Sequence, residues 1–252
     1  MRLFLQEKQQ FVKGTNLKSG RSLDNLSLKV QADYYEGMEK AFDDAFNQYA
    51  RREKKKYAAE KQEWMTPMVA LLFRYFNSEE YTFDACFADC IKLSKKILNN
   101  NRYGLAQKFT NMSFKYLYCY RDATEFEEKF ERCHMPLDAY TIHWVKSLKN
   151  NELLKNKDIL RRLNAINNAW TKIEEPLYTD IQELVADTLL SGYTYTISFN
   201  RKANNTICLP KNRLAAEFII WHQEKINELY RAIKKAESDF ERLGIQWIGF
   251  PA

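Results

Sequence analysis

Two short stretches of this 252-residue chain hold side chains whose order suggests a chemistry: Gly104-Leu-Ala-Gln-Lys-Phe-Thr-Asn111 and, further on, Pro136-Leu-Asp138-Ala-Tyr140. They bring a glycine, an amine, two side-chain amides and a later carboxylate into one order. Other reactive types are present but less organised. Cys86 and Cys90 share one face of an expected helix, with Cys119, Cys133 and His134 in the same region. Without a Cys-x-x-Cys pair or a second compact ligand pair, they read as small buried thiols, and no metal ligand is assigned. His134, His143 and His222 lack a Ser or Cys at triad-like spacing and are given no catalytic role. The run Lys115-Tyr-Leu-Tyr-Cys-Tyr-Arg121 mixes bases and rings as a stacking platform would. A helix would send those tyrosines to different faces, which favours a core. No Gly-rich phosphate loop or dinucleotide fingerprint occurs, and no cofactor is expected.

The two stretches resemble the catalytic segment of helix-hairpin-helix DNA glycosylases, over about residues 97–145. Such a hairpin reads Gly-x-Gly-x-Lys with a small or amide residue after it, and a Pro-Val-Asp-like segment follows. The matching positions here are Gly104, Ala106, Lys108 and Asn111, then Pro136, Leu137 and Asp138. The resemblance implies a tight turn at Gly104 that aims backbone amides at a DNA phosphate, independent of base sequence. It implies Lys108 as an amine nucleophile on the sugar of a flipped nucleotide, and Asp138 as the carboxylate facing the developing positive charge. Arg102, Gln107 and Lys115 complete the expected nucleic-acid contacts. An ammonium with a pKa near ~10 is a poor nucleophile, so Lys108 needs burial or a cationic neighbour such as Arg102, and Asp138 acts the other way. The chain departs from the pattern at Ala106, in the lead Asn101-Arg-Tyr103, in a longer interval filled by a helix from Glu125 to Cys133, and in lacking a C-terminal cysteine cluster. The same residues also read as ordinary helix, with Phe109, Met112, Tyr116, Leu117 and Tyr120 buried, Lys108 and Lys115 towards the exposed side, and Asp138 an N-cap.

The elements that must position these residues are mainly helical. Tyr35, Met38, Phe42, Ala45, Phe46 and Tyr49 form a helical stripe within 32–64, whose far end is the basic run Arg51-Arg-Glu-Lys-Lys-Lys56. Thr66-Pro67 reads as a helix start leading into the apolar Met68–Phe76, and Thr82 as another. Asn99-Asn-Asn101 is a turn signal. Helices are expected at 105–120, 123–133, 138–149 and 157–170, with the Lys149–Lys157 stretch as a surface connection. A further helix opens at Pro176, runs to Leu190 and stops at Gly192. Tyr193–Phe199 alternates, Asn204-Asn205 supplies a turn, and Thr206–Leu209 resumes, which predicts a hairpin. A long helix over 213–243 closes the pattern, with Trp247, Ile248 and Phe250 as an apolar tail. Residues 1–28 lack clear helical periodicity and read as a basic extended arm carrying one strand that pairs with the 193–209 hairpin.

Composition agrees with that frame. Seven Gly and five Pro are few for a sandwich or barrel, and 45% hydrophobic content supports a substantial core. The expected fold is a mainly α, bundle-like globular body over 29–252 with a small β element. A net charge of +6 favours phosphate-bearing partners, DNA first, without proving one. Five cysteines in no framework fit a reducing cytoplasm, and no window reaches membrane-span length, so a cytoplasmic protein without a membrane partner is expected. The alternative reading is a non-enzymatic helical interaction protein, of a mobile element or phage-defence system, using the bases at Lys54–Lys56 and the last helix.

Overall fold

The computed structural model describes residues 2–47, 61–97, 102–148, 157–167, 169–200 and 203–242. Among them are ten α-helices and one two-stranded antiparallel sheet, a mainly α fold with a small β element. The basic run 51–56, the Asn99–Asn101 turn, most of the 149–157 connection and the apolar tail at 247–250 lie outside the described residues.

The centre of the molecule is α5 (Tyr103–Leu117), in which every residue is buried. Burial on all sides follows from its sequence, since Leu105, Ala106, Phe109, Met112, Phe114 and Leu117 spread around the helix rather than along one stripe. Around it stand α2 (Tyr34–Asn47), α4 (Phe83–Ile97) and α9 (Glu175–Leu190), with α3 (Lys61–Asn77) against α2 and α4. Phe42, Phe46, Trp64 and Phe109 join these helices through ring contacts of 5.2 to 6.1 Å. The 3₁₀ turn Trp170–Lys172 lies on the first turn of α5, against Gly104, where a Cβ would fall 2.1 Å from the Trp170 carbonyl oxygen. The glycine therefore permits close backbone approach.

The other side is closed by α10 (Arg213–Arg242), which packs on α1 (Arg2–Lys13), α6 (Glu127–Glu131) and α7 (Ala139–Ser147). Asn212 caps α10, its Oδ1 accepting from the Leu214 and Ala215 amides, and Leu214–Ile220 then gives an almost continuous buried run. The short α8 (Lys157–Ala165) packs on α9. Gly192, at φ 75°, takes the left-handed conformation that ends α9. Strands β1 (Thr194–Asn200) and β2 (Ala203–Cys208) follow and pair from Thr194↔Cys208 to Asn200↔Ala203.

Several boundaries differ from expectation. Residues 2–13 form a helix rather than an extended strand, because Phe4 and Phe11, two turns apart, are both packed against rings, Phe4 stacked on Tyr118 and Phe11 edge-on to Tyr116 and Phe218. The sheet is thus the hairpin alone. Asn204 and Asn205 sit within β2, opposite Ser198 and Ile197, not in the turn. The stripe residues from Tyr35 to Phe46 lie in α2, Tyr49 is outside the described residues, and Pro67 lies inside α3 rather than at its start. No helix among the described residues is long and apolar enough to cross a membrane.

Candidate functional site

Lys108, Met112 and Lys115 repeat at four and three residues, which sets them on one face of α5. That face looks into a cleft of about 660 Å³, walled by Phe11 of α1 and by Phe218 and Trp221 of α10, with Asp43 and Asp44 of α2 at one side. Neither lysine takes the exposed side that an amphipathic reading gives it. Lys108 is 1% and Lys115 is 3% exposed, because helices cover α5 all round.

Each buried ammonium meets a carboxylate from a distant segment. Lys108 Nζ donates to Asp138 Oδ2 at 2.9 Å, and both side chains are almost wholly enclosed. Asp138 is the N-cap of α7: its Oδ1 accepts from the Tyr140 and Thr141 amides, while its own amide donates to Thr141 Oγ1 at 2.8 Å, closing a capping box. One oxygen serves the helix and the other serves the lysine. Lys115 Nζ donates to Glu217 Oε1 at 3.0 Å and lies 2.7 Å from Oε2. It also stands over the rings of Phe11 and Phe218, 4.7 Å from each centroid, and 5.6 Å from Trp221.

The electrostatics lock both groups of the first pair in their charged forms. Burial works to push Asp138 up, but the Lys108 ammonium and the hydrogen bonds from Lys108 and Thr141 hold it below the ordinary carboxylate range. Burial likewise works to lower Lys108, and the carboxylates of Asp138, Asp44 and Glu217 outweigh it, leaving the ammonium more basic than usual. Glu217 is pushed up by burial against the pull of Lys115 and Lys108.

The remaining residues of the expected contact set act inside the molecule. Gln107 clamps the peptide before Asp138: its Nε2 donates to the Leu137 carbonyl at 2.9 Å, and its Oε1 accepts from the Leu137 amide at 3.2 Å. Asn111 Nδ2 donates to Gln107 Oε1 and to Tyr178 Oη. Both amides are wholly buried, so they order the 135–138 segment where surface phosphate contacts had been expected of them. Gly104 is buried beneath the Trp170–Lys172 turn, whereas Arg102, the residue before α5, is exposed.

Glu217, Asp44 and the aromatic walls escaped sequence reasoning. The usable signal was Glu217 itself, a lone carboxylate in the apolar run Leu214–Ile220. The thiols of Cys86 and Cys90 lie 4.0 Å apart inside the core, and burial pushes Cys119 up to about 12. Among the described residues no three His, Cys, Asp or Glu side chains gather in a metal-holding group.

Comparison with protein-family models, with curated proteins and with solved structures gave no match for this chain.

Proposed function

We propose that the chain is a nucleic-acid-binding protein with glycosylase-like chemistry, taking a flipped nucleotide into the cleft floored by Lys108. One observation carries the reading: Lys108, on the face of α5 that lines an aromatic-walled cleft, meets at 2.9 Å a carboxylate thirty residues further on, Asp138, which is not itself part of the cleft lining. Buried ion pairs are weak devices for stability, since desolvation offsets most of the attraction. Two of them on a single helix face are better accounted for by chemistry. The cleft is of ligand size, and the two ammonium groups on its α5 face are paired with carboxylates, which suits a base and sugar there better than a phosphate. The phosphates would remain at the rim, where Lys40 and Lys225 line the opening.

The resting ammonium is not a nucleophile, so the substrate must change the pair. In the proposed step Lys108 passes a proton to Asp138, and the freed amine attacks the sugar C1′. The glycosidic C–N bond breaks, its electron pair leaves with the base, and the base nitrogen takes the proton from Asp138. The Asp138 carboxylate, facing the positive charge that develops on the sugar, then carries a proton from the substituted amine to O4′ as the C1′–O4′ bond breaks, which leaves the iminium that borohydride reduces. Because Lys108 is enclosed, entry of a nucleotide requires Phe11 of α1 to move from the cleft wall.

The test is incubation of the full chain with duplexes carrying an oxidised, alkylated or deaminated base, or an abasic site, in the presence of borohydride. The reading predicts a borohydride-dependent covalent protein–DNA adduct with at least one of them. Binding without an adduct on any substrate would reduce the protein to a binding module. Neither binding nor adduct would remove the reading altogether.

A further inference from the structure

A second cleft, of about 950 Å³, opens between α4 and α9, away from Lys108. Its floor carries His134, Tyr103, Tyr178 and Phe87. Phe87 stacks on Tyr178 with 5.8 Å between centroids, and Tyr103 meets Tyr178 at 5.2 Å. His134 is held edge-on against Phe83 and Phe87.

The hydrogen-bond network fixes which nitrogen of His134 bears the proton. The Leu137 peptide donates to Gln107 Oε1 and accepts from Gln107 Nε2, so the orientation of that amide is set by backbone. The Asn111 atom facing Gln107 Oε1 must then be the donor Nδ2. The same Nδ2 lies 2.8 Å from Tyr178 Oη, so Oη accepts there and turns its own proton to His134 Nδ1 at 2.9 Å. Nδ1 is therefore an acceptor, and the proton of the neutral ring sits on Nε2. Burial, with a smaller effect from the Arg213 charge, holds His134 well below its usual pKa, in agreement with that neutral form. Among the described residues nothing accepts from Nε2–H. It is a donor of fixed direction on an aromatic floor.

The rim supplies charge of both signs. Lys92, Lys95 and Lys96 stand on one stretch of α4, with Lys95 Nζ 4.9 Å above the Tyr103 ring, while Asp84, Glu175 and Glu183 line the other parts. We propose that this cleft binds a nucleoside monophosphate, with a base oxygen or ring nitrogen accepting from His134 Nε2–H and the phosphate held by the α4 lysines. Aromatic rings provide stacking surface, the fixed N–H selects an acceptor on a planar edge, and the clustered ammoniums select the anion. The site stands apart from the Lys108 reading and is tested separately.

The experiment is a titration of the full chain with adenosine, guanosine, cytidine and uridine monophosphates and with inorganic phosphate, followed by ¹⁵N–¹H NMR of the histidine rings and by indole fluorescence. In the free protein the His134 ring should show the Nε2-protonated neutral tautomer. At least one mononucleotide should shift that signal with an affinity of about 1 mM or better. Lys92→Glu with Lys95→Ala, both at the rim rather than in the core, should weaken binding about tenfold or more. His134→Gln should retain binding better than His134→Phe, whose fold is checked by its melting curve. The proposal is overturned if no mononucleotide shifts His134, if phosphate alone binds as tightly, if the rim variant binds normally, or if indole fluorescence responds while His134 does not, which would place the ligand away from this cleft.

Discussion

Asp138 does two jobs with two oxygens, and the consequences separate by substitution. Asp138→Asn can keep the α7 cap through its remaining oxygen but leaves the buried Lys108 ammonium without its hydrogen-bonded carboxylate, a loss of about 3–5 kcal/mol. Asp138→Ala removes the cap as well, for about 1 kcal/mol more. Lys108→Met strands the carboxylate instead. Combined with Asp138→Asn it removes both charges, so urea unfolding should find the double variant far more stable than the sum of the single losses predicts. The pH dependence follows from the directions of the two shifts. Asp138 is held below its ordinary 3.8, so its contribution is complete above about pH 4 and is lost as pH falls through its folded value. Lys108 is raised above 10.5, so its contribution is complete below that pH and is lost as pH rises through the folded value. Melting temperature against pH should show a plateau between these limits, with the acid fall reduced in Asp138→Asn.

At the scale of elements, α5 is held by what covers it as much as by its own stripe. Gly104→Ala would drive a methyl group to within 2.1 Å of the Trp170 carbonyl oxygen, which is backbone and cannot swing aside. The expected loss is about 3 kcal/mol, read from thermal unfolding, because either the turn or the first turn of the helix must shift. A loss under about 0.5 kcal/mol would show that the two segments do not meet as described. Most helices were legible, since three- and four-residue apolar spacing, Thr82 before α4 and Gly192 after α9 are local signals. The first helix was not. Leu3, Phe4, Phe11 and Val12 mark its buried face, and the ring partners Tyr116, Tyr118 and Phe218 come from elsewhere in the chain. The hairpin turn was misplaced for a related reason, because Asn204 and Asn205 are turn-formers that cross-strand pairing with Ser198 and Ile197 overrides.

For the whole molecule, the candidate site was legible as a pair of residues and illegible as a place. Lys108 and Asp138 can be chosen from their order in the sequence. The second pair, Lys115 with Glu217, joins segments 102 residues apart, and no local pattern announces it. Charged side chains are assigned to the surface by default, so two buried lysines on a cleft wall, each with a buried carboxylate partner, emerge only when the segments carrying Asp138 and Glu217 meet α5. A net charge of +6 bears on partners at the same scale. Duplex DNA should bind more weakly as salt rises, with a log–log slope on the order of −3 to −5 if a few phosphates are neutralised. A slope near zero would place any binding outside phosphate recognition.

The central claim is that the Lys108 amine can reach a sugar carbon, and the direct measurement is the identity of the residue carrying the adduct. After borohydride reduction, nuclease digestion and proteolysis, mass spectrometry of the peptides should find the sugar remnant on Lys108. A remnant on Lys115 or any other amine, or none on any peptide, would contradict the account.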